Sequence, residues 1–440
     1  MTSRYKQFNF EDYAFDNVSQ TLSCHYNYDG IVAFTESYHF DFPLQDYDKA
    51  AFDRACEQLF FMAGVSYYKI YLAPEIVIKK GQLDQATADF YSKTYQRGLG
   101  EFFYVNHLDP RTPVNFPVTT VQLTTPISVP ESHGVLIGIG GGKDSLVSVD
   151  LFKKSDMDIA TWSLNHQTIL TPLVERIGLP HYFVDRTLDP TISQHGAAGG
   201  YRGHIPISAI IAACGVIVAI LTGRQDVTVS NELSANEPTL YDDGFAINHQ
   251  YSKSAEFEAD FQDLLAHLFK NGPRYYSFLR PLSELRIAEL FCMADSFTRY
   301  QGTFSSCNHA YARGNDHIIW DGTCPKCAFF YLAMEPFAKE EQLATIFSGK
   351  NLLHEPELEQ TYKQLLGIDG DKPLECVGEI KESRTAMRLS QMRDANLAEK
   401  YQFDIPEDYD YKALGAHHMP PEIYMLFKTA LDSQLVEQHE

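Results

Sequence analysis

The densest chemical signal in the chain is Gly140-Gly141-Gly142-Lys143-Asp144-Ser145. These residues follow Val135-Leu136-Ile137-Gly138-Ile139, an apolar run of strand character, and Lys143-Asp144-Ser145 opens a helical pattern. Glycines let the backbone turn sharply and approach a ligand closely, and the free N–H groups of a starting helix favour an anion. The chemistry implied is the handling of phosphate.

Two common phosphate loops do not fit. A Walker A loop reads G-x-x-x-x-G-K-S/T, whereas Ile137 occupies the position of its first glycine and Asp144 follows the lysine. The dinucleotide fingerprint G-x-G-x-x-G fails in every register: counted from Gly138 its last position is Lys143, and from Gly140 it is Ser145. The segment resembles the Ser-Gly-Gly-x-Asp-Ser loop of the PP-loop ATP pyrophosphatases, with Gly140 in place of the first serine. That resemblance implies cleavage of ATP between the α and β phosphates and adenylation of a substrate.

Four further constellations could carry chemistry. Ser230-Asn231-Glu232-Leu233-Ser234-Ala235-Asn236-Glu237 is densely polar. Glu232 could hold Mg²⁺ as a hard oxygen donor, or the segment could merely cap a turn. Asn248 to Glu258 offers a general base, His249, and a cation, Lys253, on one face if the segment is helical. Gly199-Gly200-Tyr201-Arg202-Gly203-His204 precedes an apolar helix, where Arg202 and His204 could grip a phosphate or carboxylate. Cys307 with Asp321-Gly322-Thr323-Cys324-Pro325-Lys326-Cys327 is similar to a zinc-ribbon knuckle, with Asp321 where the first knuckle cysteine would stand. Zn²⁺ could take Cys307, Cys324 and Cys327 with Asp321, His309 or His317 as fourth ligand, or the cysteines could simply pack.

The elements that must position these residues are legible from periodicity. Residues 1–130 read as an N-terminal α+β domain with a proline-rich connector. The pattern there gives a hairpin over His25–Asp41 turning at Asp29-Gly30, a helix over Asp48–Ala63, a strand at Tyr67–Leu72 and a helix over Ala86–Tyr104. Residues 131–335 alternate apolar strands (135–139, 159–164, 181–185, 227–230) with helices (144–154, 168–177, 205–221), the pattern of a parallel sheet covered on both faces. Ligands on such sheets sit beyond the carboxyl ends of the strands. That rule selects Gly140–Ser145, Asn165-His166, Asp185-Arg186 and Asn231-Glu232. Residues 336–440 read as a helical, acidic region.

Composition bounds the partners. The chain has 440 residues, of which 44% are hydrophobic and 21% charged, as expected of a globular protein. Its 36 Lys and Arg against 58 Asp and Glu give a net charge of -22, a surface that repels nucleic acid. The apolar run 205–221 contains Pro206, Ser208, Cys214 and Gly215 and reads as a buried helix rather than a membrane insertion. The opening Met1-Thr2-Ser3-Arg4-Tyr5-Lys6 lacks the apolar core of a signal peptide, and eight cysteines in this length do not make a disulfide scaffold. A cytoplasmic location is expected.

Taken together, Gly140–Ser145, Gly203-His204-Ile205-Pro206, Ser230–Asn236, Asn248–Glu258 and Cys324–Cys327 resemble the MurL family of UDP-N-acetylmuramoyl-L-alanyl-L-glutamate epimerases. The resemblance implies a PP-loop fold, ATP and Mg²⁺ as cofactors, and a UDP-muramoyl dipeptide whose terminal L-Glu becomes D-Glu. It further implies that Gly140, Gly141, Gly142, Lys143, Asp144, Ser145 and Asn231 bind ATP, with Lys143 on phosphate, while Asp144 and Glu232 hold the metal. Arg202, His204 and Lys253 would bind substrate, and His249 or Lys253 would move the α-proton. Adenylation makes chemical sense in this setting, because a carbanion beside a free carboxylate is prohibitively charged. The main rival keeps the loop but changes the acceptor, as in amidating, deazaguanine-forming or thiolating enzymes. A nucleotide-binding regulator without turnover is the rival from another class.

Overall fold

Alternating aromatic and polar residues build the N-terminal strands of the computed structural model, which describes residues 3–311, 315 and 317–436. Strand β1 (Gln7–Asp16) pairs antiparallel with β2 (Thr21–Tyr28), and β2 with β3 (Val32–Asp41). Asp29 and Gly30, at φ 51° and 69°, make the expected turn between β2 and β3 in the left-handed region that Asp-Gly favours. A short strand, β4 (Glu75–Ile78), runs parallel to β1.

The helix expected from Asp48 is α1 (Lys49–Ala63), capped by the Asp48 carboxylate on the Ala51 amide. The strand expected at Tyr67–Leu72 is not formed. The chain stays helical through Gly64 into Val65–Tyr68, and the Tyr28 hydroxyl lies 2.9 and 2.6 Å from the carbonyls of Tyr67 and Tyr68. Those carbonyls are therefore satisfied without a strand partner. The helix expected over Ala86–Tyr104 divides at Leu99 into α2 (Gln85–Gly98) and α3 (Gly100–Val105), because Gly98 and Gly100 flank the break and glycine is a poor helix former. The break matters because α3 carries Glu101.

The middle of the chain follows the expected alternation. Strands β5 (Val135–Gly138), β6 (Ile159–Leu164), β7 (His181–Thr187), β8 (Asp226–Val229) and β9 (Arg274–Ser277) are joined through α4 (Lys143–Phe152), α5 (Gln167–Ile177) and α6 (Ile207–Thr222). All nine strands lie in one sheet, ordered β9-β8-β5-β6-β7-β3-β2-β1-β4. It is parallel from β9 to β7 and at β1-β4, and antiparallel where β7 meets the N-terminal hairpins. The fold is thus mixed α/β with a mostly parallel sheet. The segment boundary expected at 130 separates stretches of sequence that share this sheet.

Arg186 locks the junction between the two parts of the sheet. Its guanidinium bonds Glu36 Oε1 at 2.7 Å and Ser66 Oγ at 2.7 Å, and Glu36 is fully buried. Arg186 had been selected by its place after a strand, but this pairing makes it a structural residue rather than a ligand-binding one.

Successive residues of β5 face different cores. Leu136 joins the core around α1 and α6, while Val135 and Ile137 join the one built by the C-terminal helices. Those helices include α8 (Glu284–Met293), α9 (Pro325–Met334), α10 (Ile380–Gln391) and α11 (Pro421–Val436), whereas α7 (Ala255–Leu268) packs into the first core. Helical α6 packs against α1, and among the described residues no helix is long and apolar enough to cross a membrane.

Candidate active site

The glycine segment turns between β5 and α4 beneath a roof formed by residues 305–311. The Ser305 amide donates to the Gly141 carbonyl at 2.9 Å, and the Tyr311 hydroxyl donates to the Gly140 carbonyl at 3.2 Å. Gly141 sits at φ +86°, and a Cβ there would lie 1.7 Å from the Tyr311 hydroxyl, so no side chain fits. A Cβ on Gly140 would meet nothing within 4 Å, which leaves open space over the loop. No side chain caps the N-terminus of α4, and its first amides point into that space with their positive end. An uncapped helix start beside open space is a geometry that suits an anion. Ser145 faces inward, donating from its hydroxyl to the Gly142 carbonyl at 3.1 Å.

Lys143 is buried against two carboxylates, with Nζ 2.6 Å from Asp144 Oδ1 and 2.5 Å from Glu284 Oε2. Burial works against its charge, but Asp144 and Glu284 outweigh burial and hold the ammonium well above its ordinary range. Glu284 was not singled out in the sequence. It lies in the first turn of α8, where Ser283 accepts the Arg286 amide at 3.0 Å, and nothing near it in sequence marks it as a partner of the glycine loop.

These groups line a cavity of about 630 Å³ together with Asn231, Glu232, Lys253 and Cys376. The volume lies within the range of small-molecule sites. Asn231 and Glu232 follow β8, as expected, and are held from below. The Ser277 hydroxyl donates to the Asn231 carbonyl at 2.6 Å, and Arg280 donates to the Glu232 carbonyl at 2.8 Å. Arg280 is fully buried and also bonds Glu258 Oε2 at 2.9 and 3.1 Å and the Lys253 carbonyl. One side chain thus ties two walls of the cavity together. Only its burial reveals it, and burial cannot be read from an isolated arginine.

The segment 248–254 is not helical, contrary to the expectation that would set His249 and Lys253 on one helix face. Asn248 accepts the Gln250 amide at 2.7 Å, Tyr251–Lys253 forms a 3-10 turn, and Ser254 caps α7. Short polar side chains here take backbone bonds that a helix would need. The two residues are brought together by a third, Cys376. Lys253 Nζ lies 3.2 Å from Cys376 Sγ, and His249 hydrogen-bonds the same sulfur. On its other side His249 Nδ1 bonds the Glu101 carboxylate, which also faces His204 Nδ1 at 3.6 Å.

This arrangement shifts four titrating groups. Burial opposes a charged His249, but its bonds to Cys376 and Glu101 prevail and push it up to about 9. Lys253 is likewise raised against burial by Cys376 and Glu232. Burial and the neighbouring His249 push His204 down to about 4. Burial would raise Cys376, yet Lys253 and His249 bring it down to about 6. Both shifts favour the protonated forms of His249 and Lys253, the forms less suited to accepting a proton. Cys376 escaped notice in the sequence because Leu374-Glu375-Cys376-Val377 forms no motif.

Arg202 is not brought into the site. It is exposed, and its guanidinium turns back to the Ser193 carbonyl at 3.3 Å. Its loop serves instead to deliver His204 to Glu101.

Cys307, Asp321, Cys324 and Cys327 converge beneath the roof of the glycine loop, their ligand atoms all within 4.8 Å of one another. Cys307 and Cys324 sulfurs are 3.8 Å apart, and Cys327 Sγ lies 3.3 Å from Asp321 Oδ1. His309 bonds the other oxygen of Asp321. Among the candidates for a fourth donor, Asp321 lies with the three sulfurs and His309 bonds to it from outside the group.

Two family models match the chain: the MurL N-terminal domain over residues 1–278 and the MurL C-terminal domain over 303–407. The chain belongs to the MurL family. Curated MurL relatives, each named UDP-N-acetyl-alpha-D-muramoyl-L-alanyl-L-glutamate epimerase, include one from Xanthomonas oryzae pv. oryzae. It is 35% identical over 398 residues, which cover 87% of each protein. A second, from a Micromonospora species, is 36% identical over 89% of this chain and 90% of its own. A third, from Salinispora tropica, is 34% identical over 92% of this chain and 90% of its own. The MurL site draws on both matched regions: the glycine loop, Glu101, Glu232, His249 and Lys253 lie in the first, and the four donors and Cys376 in the second. Arg280 and Glu284 fall between them.

Proposed function

We propose that this chain converts the terminal L-Glu of UDP-N-acetylmuramoyl-L-alanyl-L-glutamate to D-Glu in peptidoglycan synthesis, and that it does so by adenylating the glutamate carboxylate with ATP in a PP-loop site. The observation that carries the reading is the sharing of one cavity by two kinds of chemistry. The uncapped start of α4, with Lys143 beside it, suits the phosphates of ATP. The Lys253–Cys376 pair suits an activated acyl group on the same cavity wall.

Within this reading Lys143 neutralises the phosphates and the α4 amides orient them. Asp144 and Glu232 fit a magnesium ion, since both are oxygen donors in a cavity where acidic groups crowd closely enough to perturb Glu284. Such an ion would offset charge on the departing diphosphate. Adenylation replaces a carboxylate by a neutral acyl group, so the neighbouring Cα–H becomes acidic enough for a side-chain base. Removal and return of that proton inverts the centre, and water then releases AMP.

The test is direct. Protein incubated with ATP and the L-Glu precursor is expected to form AMP and diphosphate and to yield D-Glu on hydrolysis of the product. Conversion without AMP would remove the adenylation step, and AMP without D-Glu would remove the epimerisation.

The four-donor cluster fits zinc. A tetrahedral site with Zn–S bonds of about 2.3 Å sets sulfurs about 3.8 Å apart, the separation of Cys307 and Cys324. A zinc there would brace residues 305–311 above the glycine loop. Purified protein is expected to carry stoichiometric zinc by metal analysis. Cys324→Ser should lose it and form AMP at least about 10-fold more slowly. Wild-type protein free of zinc and fully active would refute the assignment.

A further inference from the structure

His249 is engaged by Glu101 and Lys253 by Cys376, yet epimerisation needs a group that can take the α-proton. Three observations single out a different side chain. Cys376 is the only sulfur outside the four-donor cluster that lines the cavity containing the glycine loop, among the described residues. Two cations contact it, Lys253 at 3.2 Å and His249 by a hydrogen bond, and Lys326 adds a more distant positive charge. On its Nδ1 side His249 bonds the Glu101 carboxylate, which holds the ring in place beside the sulfur.

Resting on the function proposed above, we infer that Cys376 is the catalytic base that removes the α-proton of the activated glutamate, with Glu101 and His249 as positioning residues and Lys253 holding the charge that develops. A thiolate flanked by two cations is stabilised as an anion but remains a soft, competent base. In the step, the Cα–H bond breaks and its proton goes to Sγ. The electron pair moves into the activated acyl carbonyl, leaving a planar enolate beside the Lys253 ammonium. Water gives a proton to the opposite face, and the resulting hydroxide takes the proton from the Cys376 thiol. The thiolate is restored, one substrate hydrogen is lost and one solvent hydrogen is gained.

The other cysteines do not compete for the role. Cys24, Cys56 and Cys214 are fully buried in apolar surroundings, and burial raises each of them. Cys292 is likewise raised by burial and does not line the cavity.

The inference is tested by running wild type, Cys376→Ala and Cys376→Ser in D2O with ATP and the L-Glu precursor. AMP formation and deuterium at the glutamate Cα are then measured together. Wild type is expected to form AMP and incorporate one solvent deuterium per D-Glu. The variants are expected to form AMP within about 10-fold of wild type while deuterium incorporation falls by about 10²–10⁴-fold. Deuterium entering the variants' product at near the wild-type rate would overturn the assignment, and so would equal loss of AMP and exchange. Failure of the wild type to form AMP would instead sink the adenylation reading, which keeps the two separable. A second measurement needs no variant: the rate of Cys376 alkylation by iodoacetamide, followed by peptide mass mapping, should rise with a midpoint near pH 6. A midpoint above about pH 8, that of an ordinary thiol, would refute the thiolate. His249→Gln should move that midpoint upward, a shift that a purely structural role would not produce.

Discussion

Asp144→Asn is expected to stop AMP and diphosphate formation in a protein that remains folded. In the proposed reading Asp144 is one of two oxygen donors for a magnesium ion, and it balances Lys143 at 2.6 Å. Asparagine keeps the size but removes the charge, so a metal held there would lose an anionic ligand and Lys143 would keep only Glu284 as its counter-charge. Loss of one preorganised electrostatic group of this kind costs about 10²–10³-fold in rate. The stability cost is far smaller. The side chain is 27% exposed, and Glu284 still pairs with Lys143, so the loss is that of a partly exposed ion pair, about 1 kcal/mol or less. Thermal unfolding measured beside the AMP assay separates the two effects. AMP formation within 10-fold of wild type would take Asp144 out of the site.

Arg280→Met has the opposite profile, with stability as the primary casualty. The guanidinium has no solvent exposure and holds Glu258, itself 1% exposed, along with carbonyls from two cavity walls. Removing the cation strands a buried carboxylate, a loss of about 3–5 kcal/mol, because desolvation of the remaining charge is no longer offset. Chemical denaturation of the variant measures it. Adding Glu258→Gln should restore a substantial part, since the stranded charge goes too; non-additivity of that sign is the signature of a coupled pair. A loss under about 1 kcal/mol would mean the pair behaves as an exposed one. Activity should fall as well, because the Glu232 and Lys253 backbones lose a common anchor.

What could be read from the sequence follows the range of the interactions involved. The glycine loop, the alternation from 135 to 230 and the Asp48 cap are local, and a local pattern of turn residues and periodicity suffices to place them. The Cys324–Cys327 knuckle is local too, although its convergence with Cys307 needed the fold. Tyr67–Leu72 misled because its apolar, aromatic composition suits a strand, while a distant hydroxyl on Tyr28 satisfied the backbone in another form. Asn248–Glu258 misled because Asn248 and Ser254 divert the backbone bonds of the first turn. Cys376, Glu284 and Glu101 were invisible for another reason: each meets its partners across more than 100 residues of chain. The charge of His249 was equally out of reach, since it depends on Glu101 and Cys376 at opposite ends of the sequence.

That separation has a consequence for the order in which the protein is made. A nascent chain ending shortly after residue 278 has the strands, the glycine turn, Lys143 and Lys253, but not Glu284, the roof over the loop or the thiol. Such a chain holds every strand of the large sheet but not all the residues of the site. The cavity lacks part of its lining until Glu284, Cys307 and Cys376 have been added. On the function proposed above, an unfinished chain would thereby be kept from spending ATP on a precursor that it could not invert.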